Sequence, residues 1–203
     1  DLKSKIKNYQ NIKIIAVSKT FPIEEIDPLI KHGHLEYGEN KVQEAISKWS
    51  STKLSNPKIK LHLIGKLQTN KVKFALEIFD YIHSVDNKKL AKKIADEELK
   101  QNKKIKIFLQ INIGKEEQKS GINKDYLQDL YFYCKNLNLD VVGLMCIPPA
   151  GLRSEIFFKE MDLLAKKFNL LELSMGMSAD YIEAAKNSAT YLRIGSNIFG
   201  KRG

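Results

Sequence analysis

A lysine at the end of a short apolar run is the residue here best suited to covalent chemistry. The run Ile12-Lys13-Ile14-Ile15-Ala16-Val17-Ser18-Lys19-Thr20 reads as a strand that delivers Lys19 to its carboxyl end. Buried and stripped of water there, an ammonium is disfavoured, its pKa falls, and the free amine can attack an aldehyde to form a Schiff base. If that aldehyde also carries a phosphate, an anion site is needed, and two later segments offer one. Ser174-Met175-Gly176-Met177-Ser178 and Arg193-Ile194-Gly195-Ser196 each combine a glycine, which allows close approach of backbone, with a hydroxyl. Ser178 stands where a helix is expected to begin, and amides at a helix start bind anions. Either segment alone reads as an N-cap or a tight turn; both together, opposite Lys19, point to a phosphate.

The elements that must position these residues follow from hydrophobic period. Apolar runs at Lys13 to Ser18, Leu35 to Gly38, Lys60 to Ile64, Tyr81 to Val85, Ile105 to Ile113, Val141 to Cys146, Leu171 to Met175 and Tyr191 to Ile194 make eight candidate strands. Amphipathic stretches separate them, at Pro22 to Lys31, Lys41 to Trp49, Gln68 to Phe79, Lys88 to Lys100, Lys124 to Lys135, Ser154 to Phe168 and Ser178 to Lys186. In the third of these, Val72, Ala75, Leu76 and Phe79 share one face. Strands and helices in alternation predict an α/β fold, a single-domain (β/α)8 TIM barrel over residues 1–203. A doubly wound open sheet is disfavoured because no glycine-rich dinucleotide fingerprint follows the first strand. In a barrel, chemistry belongs at the carboxyl ends of strands, with phosphate at loops seven and eight, where the residues above fall.

Composition narrows the class. Of 203 residues, 43% are apolar, and no apolar run approaches the ~18 residues of a membrane span. The net charge is +10, but arginine appears only as Arg153, Arg193 and Arg202, and the lysines are scattered along helix patterns. That is a solvated surface able to attract small anions, without the clustered groups nucleic-acid binding needs. Cys134 and Cys146 have no metal-like spacing, and no signal peptide is visible, so a cytoplasmic setting with free thiols is expected. Because the chain opens at Asp1 without methionine, residues 1–11 are expected to be the remnant of a leading helix.

Several segments carry a resemblance. Ala16 to Thr20, Gly38-Glu39-Asn40-Lys41-Val42-Gln43-Glu44, His62-Leu63-Ile64-Gly65-Lys66-Leu67-Gln68-Thr69-Asn70-Lys71, Lys119-Ser120-Gly121-Ile122, Gly143-Leu144-Met145, Ser174 to Ser178 and Arg193 to Gly200 are arranged in one order. They resemble the YggS/PROSC family of pyridoxal 5′-phosphate homeostasis proteins from about Asn11 to the C-terminus. The resemblance implies a barrel like the N-terminal domain of alanine racemase, with pyridoxal 5′-phosphate on Lys19. It also implies that Ser178, Gly195 and Ser196 hold the phosphate, that Arg193 faces the pyridine nitrogen, and that Asn40 lies near the ring. Guanidinium does not give up its proton near neutral pH, so the ring would be a weak electron sink, which argues against aminotransferase chemistry. Two positions depart from the family pattern. Phe21 stands where many members carry a second lysine, and Gly195-Ser196 replaces the usual Gly-Thr, leaving a hydroxyl in place.

The resemblance implies a cofactor carrier that takes part in intracellular pyridoxal phosphate homeostasis and passes the cofactor to apoenzymes, with no catalytic residues assigned. The alternative is a weak amino-acid racemase, which needs a base on each face of the α-carbon; no sequence remains for a second domain to supply one. The same consideration favours a monomer. His62 and His83 inside apolar strands are expected to be hydrogen-bonded packing residues, and His32 and His34 beside Gly33 to belong to a helix end. Lys119, which matches a family lysine, is a candidate anion contact or transient second aldehyde acceptor.

Overall fold

A computed structural model describes residues 2–200; Asp1 and residues 201–203, among them Arg202, lie outside the described residues. Eight parallel strands close into one barrel in sequence order, β1 (Lys13–Val17), β2 (Glu36–Glu39), β3 (Lys60–Leu63), β4 (Tyr81–Val85), β5 (Lys106–Ile111), β6 (Asp140–Cys146), β7 (Glu172–Ser174) and β8 (Tyr191–Ile194). Closure comes from β1 pairing with β8, Ile15 opposite Arg193 and Ala16 opposite Ile194. Outside lie α2 (Ile23–Lys31), α3 (Val42–Ser55), α4 (Val72–Ile78), α5 (Lys88–Gln101), α6 (Leu127–Asn136), α7 (Ser154–Lys167) and α8 (Tyr181–Lys186). A short α1 (Leu2–Ile6) precedes β1 and packs on α8, and α9 (Ser196–Phe199) follows β8.

Each strand divides its side chains between two cores, as a period of two requires. One set meets the helices. Val72, Ala75, Leu76 and Phe79 are all fully buried there, although a 3-10 turn over Thr69–Lys71 replaces the helix start expected at Gln68. The other set fills the lumen, where Ile15, Tyr81, Phe108, Met145 and Tyr191 form a separate cluster. Two strand boundaries differ from expectation for physical reasons. β5 stops at Ile111 because the chain folds back and the Asn112 amide donates to the Ile122 carbonyl at 3.0 Å. β7 is only Glu172–Ser174, and Leu171 before it is 86% exposed, outside the core its apolar character predicted.

Candidate functional site

The carboxyl ends of the strands surround a cavity of about 680 Å³. Lys19 enters it from the turn after β1, Asn40 from just beyond β2, Ser178 from the loop after β7, and Arg193, Gly195 and Ser196 from β8 and its loop. All the residues singled out for cofactor binding thus line one space of a size that suits a small molecule. Local chain geometry explains the placement. A Cβ on Gly65 would lie 2.4 Å from the Asn40 carbonyl, so the glycine lets the loop after β3 close against Asn40. Asn197 Nδ2 donates to the Ser178 carbonyl at 3.3 Å and ties loop seven to loop eight.

Three expectations about this site need correction. Lys19 is half-buried rather than buried, so its desolvation is partial. Ser178 is not an N-cap: α8 begins at Tyr181, Ser178 sits in the turn before it, and Asp180 Oδ1 accepts from the Met177 amide at 2.7 Å. Gly176 packs against α8 and does not line the cavity. It is buried at φ +87°, and a Cβ there would stand 2.5 Å from that of Ala184.

Arg193 is 4% exposed, and its bonding continues through the lumen. One guanidinium nitrogen donates to the Cys146 carbonyl at 2.7 Å and another to Ser174 Oγ at 2.7 Å. From Ser174 the chain runs to His83 Nδ1 at 2.8 Å, from His83 Nε2 to His62 Nδ1 at 2.9 Å, and from His62 Nε2 to Glu36 Oε2 at 2.7 Å. Carboxylate only accepts, so His62 carries a proton on Nε2, and because burial keeps both imidazoles neutral near neutral pH, the direction of the remaining bonds follows. His62 therefore donates from Nε2 to Glu36, His83 donates from Nε2 to His62, and the Ser174 hydroxyl donates to His83. Both imidazoles are neutral, each bearing its proton on Nε2. Burial pushes the pKa of His62 down against the pull of Glu36, and burial with His62 and Arg193 nearby pushes His83 well down. Burial raises Glu36, but the hydrogen bond from His62 and the charge of Lys13 outweigh it, leaving a lowered pKa. His62 stacks on Tyr81 at 4.4 Å and His83 on Phe108 at 4.2 Å, so both also pack.

The guanidinium is thus a buried cation whose partners here, a hydroxyl and a carbonyl, are neutral, with no carboxylate paired to it among the described residues. Burial lowers its pKa from the ordinary arginine value, Cys146 and Asp180 opposing. Such a group favours an electron-rich acceptor in the cavity. Pyridoxal phosphate, with its ring nitrogen, aldehyde and phosphate, fits the donor set of Arg193, Lys19 and the two serine loops.

Lys119 is placed elsewhere. Its ammonium pairs with Glu116 Oε2 at 2.6 Å and donates to the Pro148 carbonyl at 3.2 Å, and it does not line the cavity. Phe21 does line it, packed against Phe199 with ring centroids 5.0 Å apart. His32 ends α2 and His34 binds the Glu36 carbonyl at 2.8 Å. Among the described residues no cluster suits a metal ion. The positioning role of Ser174 escaped sequence reasoning. The detectable signal is alternation, since Glu36, His62, His83, Ser174 and Arg193 all take inward positions of strands.

These features define a class, the one-barrel fold with a cavity at its carboxyl end lined by a lysine from loop one and serines from loops seven and eight. The description of the alanine racemase N-terminal domain matches residues 2–203. A pyridoxal phosphate homeostasis protein of Aquifex aeolicus is 38% identical over 200 residues, covering 94% of this chain and 87% of that one. The structure of PipY from Synechococcus elongatus without PLP superposes with a TM-score of 0.91 at 34% identity, covering 98% of each chain. PipY with PLP bound superposes with a TM-score of 0.88 at 32% identity, covering 98% of this chain and 100% of that one. The chain belongs to this family, the YggS/PROSC pyridoxal phosphate homeostasis proteins, built on the alanine racemase N-terminal domain.

Proposed function

We propose that this protein binds pyridoxal 5′-phosphate reversibly on Lys19 and acts as an intracellular carrier that supplies apoenzymes. The observation that carries this reading is the convergence of Lys19, Arg193 and the two serine-bearing loops on one cavity. PipY, a close structural relative, has been solved with PLP bound, which supports the same ligand here. The cofactor brings a reactive aldehyde and a phosphate. Lys19 would contribute the amine for a Schiff base with that aldehyde, one water leaving. Ser178, Gly195 and Ser196 take the phosphate, Arg193 offers its N–H to the ring nitrogen, and Asn40 flanks the ring. Because Lys19 is half-buried on an open cavity, water or another amine can reach the bond and release the cofactor.

A carrier fits this cavity better than a racemase. Racemisation needs a second base facing the first, and Lys19 is the one side chain able to act as a base among the described residues lining the cavity. The reading includes a monomer, and a reducing cytoplasm consistent with the two unpaired thiols of Cys134 and Cys146, both buried. No helix among the described residues is long and apolar enough to cross a membrane. The test is to load the protein with pyridoxal phosphate, remove free cofactor, and mix it with a cofactor-free aminotransferase. Recovery of aminotransferase activity with stoichiometric loss of carrier absorbance supports the reading. Failure to load, or loading without transfer alongside measurable racemase turnover, contradicts it.

A further inference from the structure

Both peptide groups that flank Lys19 are gripped by one helix. Ser18, fully buried, donates its hydroxyl to Glu39 Oε1 at 2.8 Å, and its carbonyl accepts from Lys48 Nζ at 2.9 Å. On the other side of Lys19, the Thr20 amide donates to Glu44 Oε1 at 2.6 Å. Lys48 and Glu44 stand one turn apart on α3, and Lys48 Nζ also donates to Glu44 Oε1 at 3.1 Å and Glu39 Oε1 at 2.9 Å. Its three ammonium donors are therefore all used, and the side chain is 8% exposed. The Trp49 indole N–H donates to the same Glu39 oxygen at 2.9 Å, fixing the carboxylate from behind.

Thr20 shows why such a grip is needed. Its φ is +70°, a left-handed conformation that a β-branched residue adopts only when its surroundings impose it. Without the Glu44 bond, relaxation of Thr20 to negative φ rotates the backbone directly after Lys19. Neither Glu44 nor Lys48 lines the main cavity, so both act through the chain and not on a ligand.

We propose that Glu44 and Lys48 are positioning residues that clamp the two peptide groups around Lys19 and hold the strained Thr20 turn, keeping the amine aimed into the cavity. This rests on Lys19 being the aldehyde-binding amine. Lys48→Met strands the buried Glu39 charge and endangers folding, so Glu44, whose side chain is 26% exposed, is the position to vary. Two quantities are read in each variant: hydrogen exchange of the residue 20 amide without cofactor, and the rate at which pyridoxal phosphate plus cyanoborohydride labels Lys19, located by peptide mapping. In Glu44→Ala, amide exchange rises and labelling slows, each by roughly tenfold, the scale expected of a misaimed reacting group. Glu44→Gln keeps an acceptor oxygen and restores both. Adding Thr20→Gly to Glu44→Ala restores labelling, because glycine adopts positive φ without strain. Unchanged exchange in Glu44→Ala, or faster exchange with unchanged labelling, overturns the clamp while leaving the carrier reading intact. Absence of label on Lys19 in the parent protein overturns the reading of the site, and the clamp with it.

Discussion

On the β1–β2 side of the cavity, Lys19 rides on backbone fixed by buried charges, whereas on the β7–β8 side Ser178 occupies a turn and Ser196 opens the short α9, with little burial behind either. Glu39 and Ser18 are fully buried, while α9 buries no residue and Asn197 reaches Ser178 at 3.3 Å from an exposed position. Between the two walls, Arg193 is anchored through Ser174, His83 and His62 to Glu36 at the opposite end of the barrel. Under the proposed function, Lys19 and Arg193 are thus set before a ligand arrives, while the less buried serine loops would take the phosphate. That division suits a carrier, in which loading must be selective and release must not require the barrel to rearrange.

The largest expected effect breaks the rigid side. Arg193→Ala leaves the Cys146 carbonyl without its guanidinium donor and the Ser174 hydroxyl with His83 alone, beside a void, so urea unfolding should show a loss of about 2–4 kcal/mol. Unchanged stability would mean that the lumen string contributes nothing.

A second effect is set by pH. His62 and His83 have folded pKa values below the unfolded one, so the unfolded state takes up their protons first as pH falls. Stability should be level above about pH 7 and fall below about 6.5, by up to about 1.4 kcal/mol per unit for each histidine. Glu36 adds to this at lower pH, since its lowered pKa contributes stability that is lost only as pH falls below about 4.5. In His83→Phe, a ring that keeps the stack on Phe108, the slope between pH 6.5 and 5 should shrink. Nitrogen-15 shifts should also show both histidines protonated on Nε2 in the parent protein.

The smallest effect tests the less buried side. Ser178→Ala and Ser196→Ala should each weaken cofactor binding by about 0.5–1.5 kcal/mol, roughly 2- to 10-fold in Kd, with no change in Tm. A large drop in Tm would mean that these loops are as structural as the opposite wall.

Much of this was legible in the sequence because local rules governed it. β4 and β8 match their apolar runs residue for residue, and the stripe Val72, Ala75, Leu76, Phe79 faces the core. The cavity residues could be gathered because a barrel brings the ends of its strands together. The helix after β7 is expected from Ser178 but starts at Tyr181, because Asp180 takes the Met177 amide and holds the intervening residues in a turn, a choice that propensity alone does not resolve. The lumen string was invisible because His83 and Ser174, 91 positions apart, meet only through strand register. Glu44 and Lys48 stand one helical turn apart in sequence, and only the fold reveals that both face the backbone of loop one.

The central claim is that Lys19 is the amine that holds the cofactor. The most direct measurement is to load the protein with pyridoxal phosphate, reduce it with borohydride and map the pyridoxyl group by peptide mass spectrometry. One label, on Lys19, absent from Lys19→Ala, is the predicted result. A label on Lys119 or scattered over surface lysines, or an unchanged visible spectrum in Lys19→Ala, would contradict it.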